Sequence, residues 1–578
     1  MKPALKNRDP APSLPTWRSN LLLIVIGAWF IGLTGRALWL QALNNDFLQR
    51  KGESRYLREV EIGASRGMIV DRNNEPLAIS TPMEAVAATP TDIEPDPSDL
   101  RRLSQMLGVS VEELRGKLAD TKRGFVFLKR QLPPEQAERV VQLGIPGVFL
   151  QREHRRYYPA GEVMAHIIGF TGVDEKGQEA LELAFEDRLA GKPGSRRVIR
   201  DRLGRIVEDV ESIRAPQNGE KLKLSIDARI QYLAFRELKE AVALHKAKAG
   251  GIVVLDAQSG EVLAMANLPT YNPNSRGKVD AQRTRNRVVT DLFEPGSTLK
   301  PFTAAAALEG GLFDFGTVIQ TAPGSMTIGN RTIHDAHPQG ALTVAQVIQK
   351  SSNVGTAKMG LTMPSEMLWS MFSRAGFGTP PRSGFPGEVS GRLRAHASWK
   401  PIEQATMSYG YGISVSLMQL ARAYTIFASD GVLYPVTLLK RDGPAEGTQV
   451  VSAKTAQAVR RMLEMAAQPG GTAPGAQIAG YTVAGKTGTA HKLEGKGYAT
   501  NRYVSSFVGM APASKPRIII AVMIDEPSAG QHYGGAVAAP VFSLVAAGAL
   551  RLLSVPPDAP GKTTVLTPED APVVREDV

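Results

Sequence analysis

The chain has 578 residues, 43% hydrophobic and 21% charged, enough for more than one domain with a full core. It contains no cysteine, which excludes disulfides, thiolate zinc sites and cysteine nucleophiles. A formal net charge of +12 would suit nucleic acid, but no finger, RNP-like or helix-turn-helix pattern accompanies it, so the expected partner is anionic lipid or an acidic polymer and no nucleic acid.

In chain order, a basic stretch (Lys2, Lys6, Arg8, Arg18) precedes "SNLLLIVIGAWFIGLTG", uncharged from Ser19 to Gly35; Arg36 interrupts, and "ALWLQAL" continues to Leu43. About 20 apolar residues cross a bilayer, and an arginine near the end of the run reaches the headgroups. No A-x-A cleavage site follows, so 19–43 is expected to be an uncleaved transmembrane anchor. Residues 1–18 then form a cytoplasmic tail too short to hold a domain, which puts the folded mass on the far side. Residues 44–221 mix strand-like runs with charged stretches: "PSDLRRLSQMLGVSVEELRGKLAD" has helical spacing of Leu and Val, and "PPEQAERVVQLGIPGVFL" reads as helix, turn and strand.

A second regime spans 222–553. "KLKLSIDARIQYLAFRELKEAVALHKAKAG" reads as a strand and a long amphipathic helix, and "GGIVVLDAQSGEVLAMAN" as two strands around a turn. "SSFVGMAP" and "PRIIIAVMIDEP" supply two more strands before an apolar helix, "PVFSLVAAGALRLL". Strand-rich ends around a helical middle predict an α+β domain with one sheet built from both chain ends. Residues 554–578, Pro-rich and acidic, read as a disordered tail.

The stretch "GYTVAGKTGTA" (480–490) fits two patterns. From Gly480 it matches a phosphate-binding P-loop, with Asp525 and Glu526 at the tip of "IIIAVMIDE" as a possible magnesium strand. A P-loop must open a helix, however, and "GTAHKLEGKGYATN" has three glycines and no helical period. From Lys486 the stretch matches a Lys-Thr-Gly element of serine acyltransferases.

That chemistry needs a serine and a base. "FEPGSTLKPFTAAAALEGG" offers Ser297 with Lys300 one helical turn on, close enough for an amine to take the hydroxyl proton. Ser275 and Lys278 match the same spacing in a polar loop, where chance is the simpler explanation; Pro295-Gly296 and an apolar run place Ser297 at a helix start. Pro301 sits awkwardly in that first turn. "KSSNVG" adds Ser351 and Asn353, a Ser-x-Asn triplet that alone reads as a helix cap. Together the three elements are the known signature of penicillin-binding proteins and class A β-lactamases.

The chain resembles the class B penicillin-binding proteins, specifically the septal-division transpeptidases of the penicillin-binding protein 3 type. "RGMIVDRNNEPLA", "RRYYPAGEVMAHIIGFTGVDEKGQEALELAFEDRLAGKPG" and "RDRLGR" resemble boxes of the non-catalytic module, while "ANLPTYNPNSR", "RNRVVTDLFEPGSTLKPF" and "SYGYGISVSLMQLARAY" fit the division branch. Asn74 and Ala180 stand where that module usually has glycine.

The resemblance implies a mixed α/β pedestal (dimerisation-type) domain over 44–221. It also implies a serine β-lactamase-like transpeptidase domain over 222–553, with a mainly antiparallel sheet flanked by helices. Ser297 would attack the D-Ala-D-Ala bond of a peptidoglycan stem peptide, Lys300 would take its proton, Ser351 would relay a proton to the leaving amine, and Asn353 would hold the substrate amide. Lys486 would supply positive potential, Thr487 and Thr489 would bind the substrate carboxylate and backbone, and Gly488 would let the substrate strand approach. Amides of Ser297 and Thr489 would form the oxyanion hole, and Tyr409, Tyr411 and Tyr503 would line the cleft, with core packing the competing role for each.

β-Lactams would acylate the same serine. Expected partners are the inner membrane and division-complex proteins, including a glycosyltransferase, and no metal or cofactor is implied. The alternatives are an elongation-type transpeptidase, a D,D-carboxypeptidase or a catalytically idle division scaffold. Class A β-lactamases deacylate with a glutamate between the second and third elements. Glu366, Glu388, Glu403, Glu446 and Glu464 lie in that interval, none in a matching local pattern.

Overall fold

The computed structural model describes residues 15–43, 57–93, 96–200, 206–275, 280–495 and 497–560. The basic N-terminal stretch before residue 15 and the tail from 561 lie outside them.

Helix α1 (Thr16–Leu38) begins three residues before the uncharged run and continues into a π turn, Trp39–Leu43. None of its residues is buried. Its 23 residues rise about 35 Å, enough for a hydrocarbon core of about 30 Å. The Arg18 guanidinium lies 5.4 Å from the Trp17 ring, and that of Arg36 lies 4.5 Å from the Trp39 ring, so each end carries an aromatic–cation pair of the kind that sits at headgroup level. A second apolar stretch, Gly534–Leu552, is half buried and belongs to a domain core.

The chain forms two interleaved compact units. One comprises Met1–Ala64, Met83–Glu153 and Lys192–Gln217; the other comprises Ser65–Pro82, His154–Gly191 and Asn218–Val578. In the first, the stretch with helical spacing of Leu and Val forms two helices, Pro97–Leu107 and Val111–Leu118. Gly108, at φ +61°, ends the first in the left-handed conformation, and Ser110 caps the second. Leu100, Leu103, Leu107 and Leu114 pack with Leu128 and Val140 of the strand and helix that follow.

The second unit holds a five-stranded antiparallel sheet. Its strands are β1 (Ala249–Asp256), β2 (Val262–Leu268), β3 (Ala484–Glu494), β4 (Gly497–Ala511) and β5 (Ile518–Asp525), in the order β2-β1-β5-β4-β3. The two chain ends therefore meet at the β1–β5 pair, where Val254 faces Ile520 and Ile252 faces Val522. Both strands are apolar up to a closing aspartate because both faces are covered. Ile252, Val254, Ile520 and Val522 pack beneath α2 (Ala228–Leu244) and the terminal helix Ala539–Leu552. Val253, Leu255, Ile519 and Ala521 face the helical middle of the chain, the period-two alternation of a pleated strand.

Residues 65–82 and 154–191 join this unit through buried charge. The Glu182 carboxylate accepts from Arg66 Nε at 2.6 Å and Arg156 Nε at 2.7 Å, and Arg66 Nη1 reaches Glu186 at 2.7 Å. The Asp71 carboxylate takes the amides of Asn73 and Glu75 and caps α2 through the amide of Ala228 at 3.1 Å. Asn74 and Ala180, the two departures from glycine, both adopt left-handed backbone, with φ +71° and +52°.

One alternative already disfavoured by the sequence falls here, and one expectation changes. Lys486 lies inside β3 with no helix after it, and Asp525 and Glu526 are paired to Lys492 at 2.8 and 2.6 Å, so the P-loop alternative is gone. The tail is ordered at its start: Val555 is buried, and the Asp558 carboxylate accepts from the Thr482 amide at 2.8 Å and Ser514 Oγ at 2.5 Å.

Two variants test this account in urea unfolding. Glu182→Ala leaves two buried guanidiniums without their shared carboxylate and is expected to destabilise by about 3–5 kcal/mol. Ala180→Gly relieves left-handed strain and is expected to stabilise by about 0.5–1 kcal/mol after the entropy cost of glycine. An unchanged midpoint in the first, or a loss in the second, contradicts the respective assignment.

Candidate active site

Ser297 lies in a 3-10 turn, Gly296–Leu299, that runs directly into α3 (Lys300–Glu309). Pro301 falls in the first turn of α3, where backbone amides have no intrahelical acceptor, so the proline costs no hydrogen bond. The turn is braced from behind: Thr298 Oγ1 donates to the Pro295 carbonyl at 2.7 Å, and buried Tyr424 donates to the Thr298 carbonyl at 2.8 Å. Phe302, one turn on, packs against Phe377, Tyr424 and Phe427.

Lys300 is fully buried, whereas Ser297, Ser351 and Asn353 are partly exposed. Its amine donates to the Ser351 carbonyl at 2.5 Å, Ser351 Oγ at 3.1 Å and Asn353 Oδ1 at 2.7 Å. These acceptors come from the corner between α4 (Val344–Lys350) and α5 (Asn353–Thr362). Ser351 occupies the left-handed region there, at φ +60°, and Ser352 caps α5. The Asn353 amide donates to the His334 carbonyl at 3.0 Å, which turns its oxygen towards Lys300.

The third element lies on β3, the edge strand of the sheet. Lys486 is fully buried, with its amine 3.2 Å from Thr487 Oγ1, which in turn donates to Thr472 Oγ1 at 2.9 Å. Thr489 Oγ1 accepts from the Gly534 amide at 3.0 Å.

Gly488 also has a reason within the fold itself. A Cβ there would stand 2.5 Å from Ser506 Oγ, 2.8 Å from the Pro295 carbonyl and 2.9 Å from Thr298 Cγ2, so the glycine lets β3 lie against the turn that bears Ser297. Gly410, between the two tyrosines and at φ +97°, serves the same turn: a Cβ would meet the Gly296 carbonyl at 2.0 Å.

The tyrosines separate. Tyr409 is buried in a cluster with Ile333, Val354, Ala357 and Ala405, a packing position. Tyr411 stands edge-on to Tyr409 and to exposed Tyr498, with centroids 5.8 and 5.6 Å apart. Tyr503 stacks on His532 at 4.1 Å, with His491 at 4.7 Å.

Sequence reasoning missed Thr472, which has no motif around it, and Glu294, three residues before the serine. The Glu294 carboxyl accepts from the Gly412 amide at 2.7 Å and is pushed up by burial. Its adjacency to Pro295-Gly296-Ser297 was the available signal.

Comparison with known proteins identifies the family. Residues 250–546 match the penicillin binding protein transpeptidase domain, and residues 61–224 match the penicillin-binding protein dimerisation domain. The chain is 44% identical over 553 residues to the probable peptidoglycan D,D-transpeptidase PenA of Neisseria meningitidis, covering 95% of both chains. It is 42% identical over 571 residues to the peptidoglycan D,D-transpeptidase FtsI of Escherichia coli, covering 97% of this chain and 96% of that one.

Among solved structures, the transpeptidase domain of penicillin-binding protein 3 from Burkholderia pseudomallei is 49% identical, with a TM-score of 0.54 over 58% of this chain and 97% of that one. A peptidoglycan synthetase from Bifidobacterium adolescentis gives a TM-score of 0.70 at 25% identity, over 87% of this chain and 98% of that one. The chain belongs to the penicillin-binding proteins that carry a dimerisation domain ahead of a transpeptidase domain.

Proposed function

We propose that Ser297 is the nucleophile of this peptidoglycan D,D-transpeptidase, acting with Lys300, Ser351, Asn353 and Lys486 as one unit. The observation that carries the reading is the buried Lys300 amine, one turn from Ser297 and hydrogen-bonded to Ser351 and Asn353. An amine held out of water on a rigid helix is what a lysine base requires.

In the forward step Lys300 takes the Ser297 proton and Oγ attacks the carbonyl of the penultimate D-alanine. The amides of Ser297 and Thr489 hold the oxyanion. As the C–N bond breaks, Ser351 passes a proton to the departing amine, and terminal D-alanine leaves. An amine of a neighbouring stem then attacks the ester, forms the crosslink and returns the proton to Ser297. Lys486 and the hydroxyls of Thr487 and Thr489 bind the substrate carboxylate, and Tyr411 borders the cleft. A β-lactam enters the same path through its strained amide.

The apolar α1 and the division-branch stretches support a single-pass inner-membrane protein with its catalytic unit in the periplasm at the septum. Division-complex proteins, including a glycosyltransferase, would be its neighbours there.

The test is labelling of membranes with a reporter penicillin and mass mapping of the adduct. Ser297→Ala is expected to lower labelling by more than about a thousandfold with the melting profile retained. An adduct on Ser275, or undiminished labelling of the variant, sinks the assignment.

The adduct is also expected to persist, because deacylation needs a carboxylate that activates water. Glu388 is engaged by Ser383 and Glu403 by Arg394, Glu366 and Glu464 lie on helices, and Glu446 is exposed to solvent. After removal of excess drug, intact-mass spectrometry should show release over hours, a barrier of about 23 kcal/mol. Turnover within seconds would mean a working general base, with Glu294 the first residue to replace.

A further inference from the structure

We infer that Asp335 is a positioning residue for acylation, holding the Ser351–Asn353 corner in the conformation that receives the Lys300 amine. The inference rests on the proposed roles of Ser351 and Asn353. Asp335 is not itself one of the five residues of the proposed unit; its carboxylate grips Ser352, between Ser351 and Asn353, and Val354, just after them. Oδ2 accepts from Ser352 Oγ at 2.7 Å, and Oδ1 accepts from the Val354 amide at 2.9 Å. Ser352 in turn accepts from the Gly355 amide at 2.9 Å, so Asp335 and Ser352 together close the first turn of α5. An anion at this point also complements the positive end of the helix.

The corner needs such a grip. Ser351 is not a glycine, yet it holds left-handed backbone at φ +60°, ψ 36°, a conformation that persists only where surrounding contacts enforce it. That conformation lets one residue offer both its carbonyl and its hydroxyl oxygen to Lys300. On one side, the α4 helix holds Ser351 and Ser352 through the Ile348 and Val347 carbonyls. On the other, Asp335 holds Ser352 and Val354, and the preceding residue, His334, holds Asn353 through its carbonyl.

Asp335 is itself well anchored. Its amide donates to the Gly324 carbonyl at 2.8 Å, directly after a hairpin formed by Ser325–Ile328 and Arg331–His334. Ile333 of that hairpin is buried against Val354 and Ala357 of α5. The carboxylate therefore has a fixed base from which to hold the corner.

The experiment is stopped-flow acylation of the full chain in detergent by a fluorescent penicillin, separating the dissociation constant of the first complex from the acylation rate constant. Asp335→Ala is expected to slow acylation by about 10- to 100-fold, as misplaced catalytic groups do. The dissociation constant should stay within about threefold, because Lys486, Thr487 and Thr489 are untouched. Asp335→Asn, which keeps an acceptor for the Val354 amide, should recover part of the rate.

Ser352→Ala removes the same link from the other end, so the double variant should be no slower than the worse single one by more than about threefold. Acylation by Asp335→Ala within about twofold of the parent, losses that multiply in the double variant, or a loss confined to the dissociation constant would each overturn the role. If Asp335→Ala melts far below the parent, Asp335→Asn carries the test, and a parental acylation rate in that variant overturns the role. Asn353→Ala is the control: full-rate acylation there refutes the corner as catalytic machinery. Slow acylation there beside a normal rate in Asp335→Ala refutes only the positioning role.

Discussion

An amine without access to water must find acceptors inside the protein, because an unpaired buried charge or donor is among the costliest defects a fold can carry. Lys300 imposes that constraint on this molecule. Its acceptors, the two oxygens of Ser351 and the side-chain oxygen of Asn353, come from a break between two helices. The break requires left-handed backbone at a serine, a capped helix start and a hairpin whose last residues hold the corner. The same bonds that satisfy the buried amine thus gather three of the proposed catalytic groups, Lys300, Ser351 and Asn353.

The second requirement is proximity between elements far apart in the chain. The turn bearing Ser297 lies between β3 and the Tyr409–Tyr411 segment, and both neighbours approach it through a glycine. At Gly488 and at Gly410 a methyl group would collide with backbone atoms of the Pro295–Gly296 segment. Behind the turn, Tyr424 and the Phe302 cluster leave it no room to retreat. Preorganisation here comes from close packing on both sides of a short 3-10 turn, consistent with chemistry whose barrier is lowered by fixed geometry.

Charge plays a different part where residues 65–82 and 154–191 join the second unit. One carboxylate, Glu182, serves two buried guanidiniums, and another, Asp71, caps the helix that covers the sheet. Such ion pairs add little net stability relative to a well-packed apolar core, but they tolerate only one arrangement of partners. They therefore specify which segments meet, and the left-handed turns at Asn74 and Ala180 lie next to these contacts.

Local pattern was sufficient for the N-terminal apolar helix, four of the five strands of the sheet, the long helix after residue 227 and the order of the three motifs. Each depends on hydrophobic period or on spacing within one turn, properties carried by adjacent residues. Some boundaries were not legible in this way. Gly108 splits a continuous helical pattern, and Asp558 pins a segment whose composition reads as disordered. The division of labour at the site was equally hidden. Nothing near Gly488 announces that its missing side chain makes room for the Ser297 turn, nothing near Tyr409 announces that it packs with Ile333, and Thr472 and Asp335 sit in no motif. These facts belong to contacts between residues tens to hundreds of positions apart. The sequence by itself determined which chemical groups exist and in what local geometry they begin, whereas tertiary packing alone decided which of them meet, because close approach and hydrogen-bond satisfaction are properties of the folded surface and not of the chain.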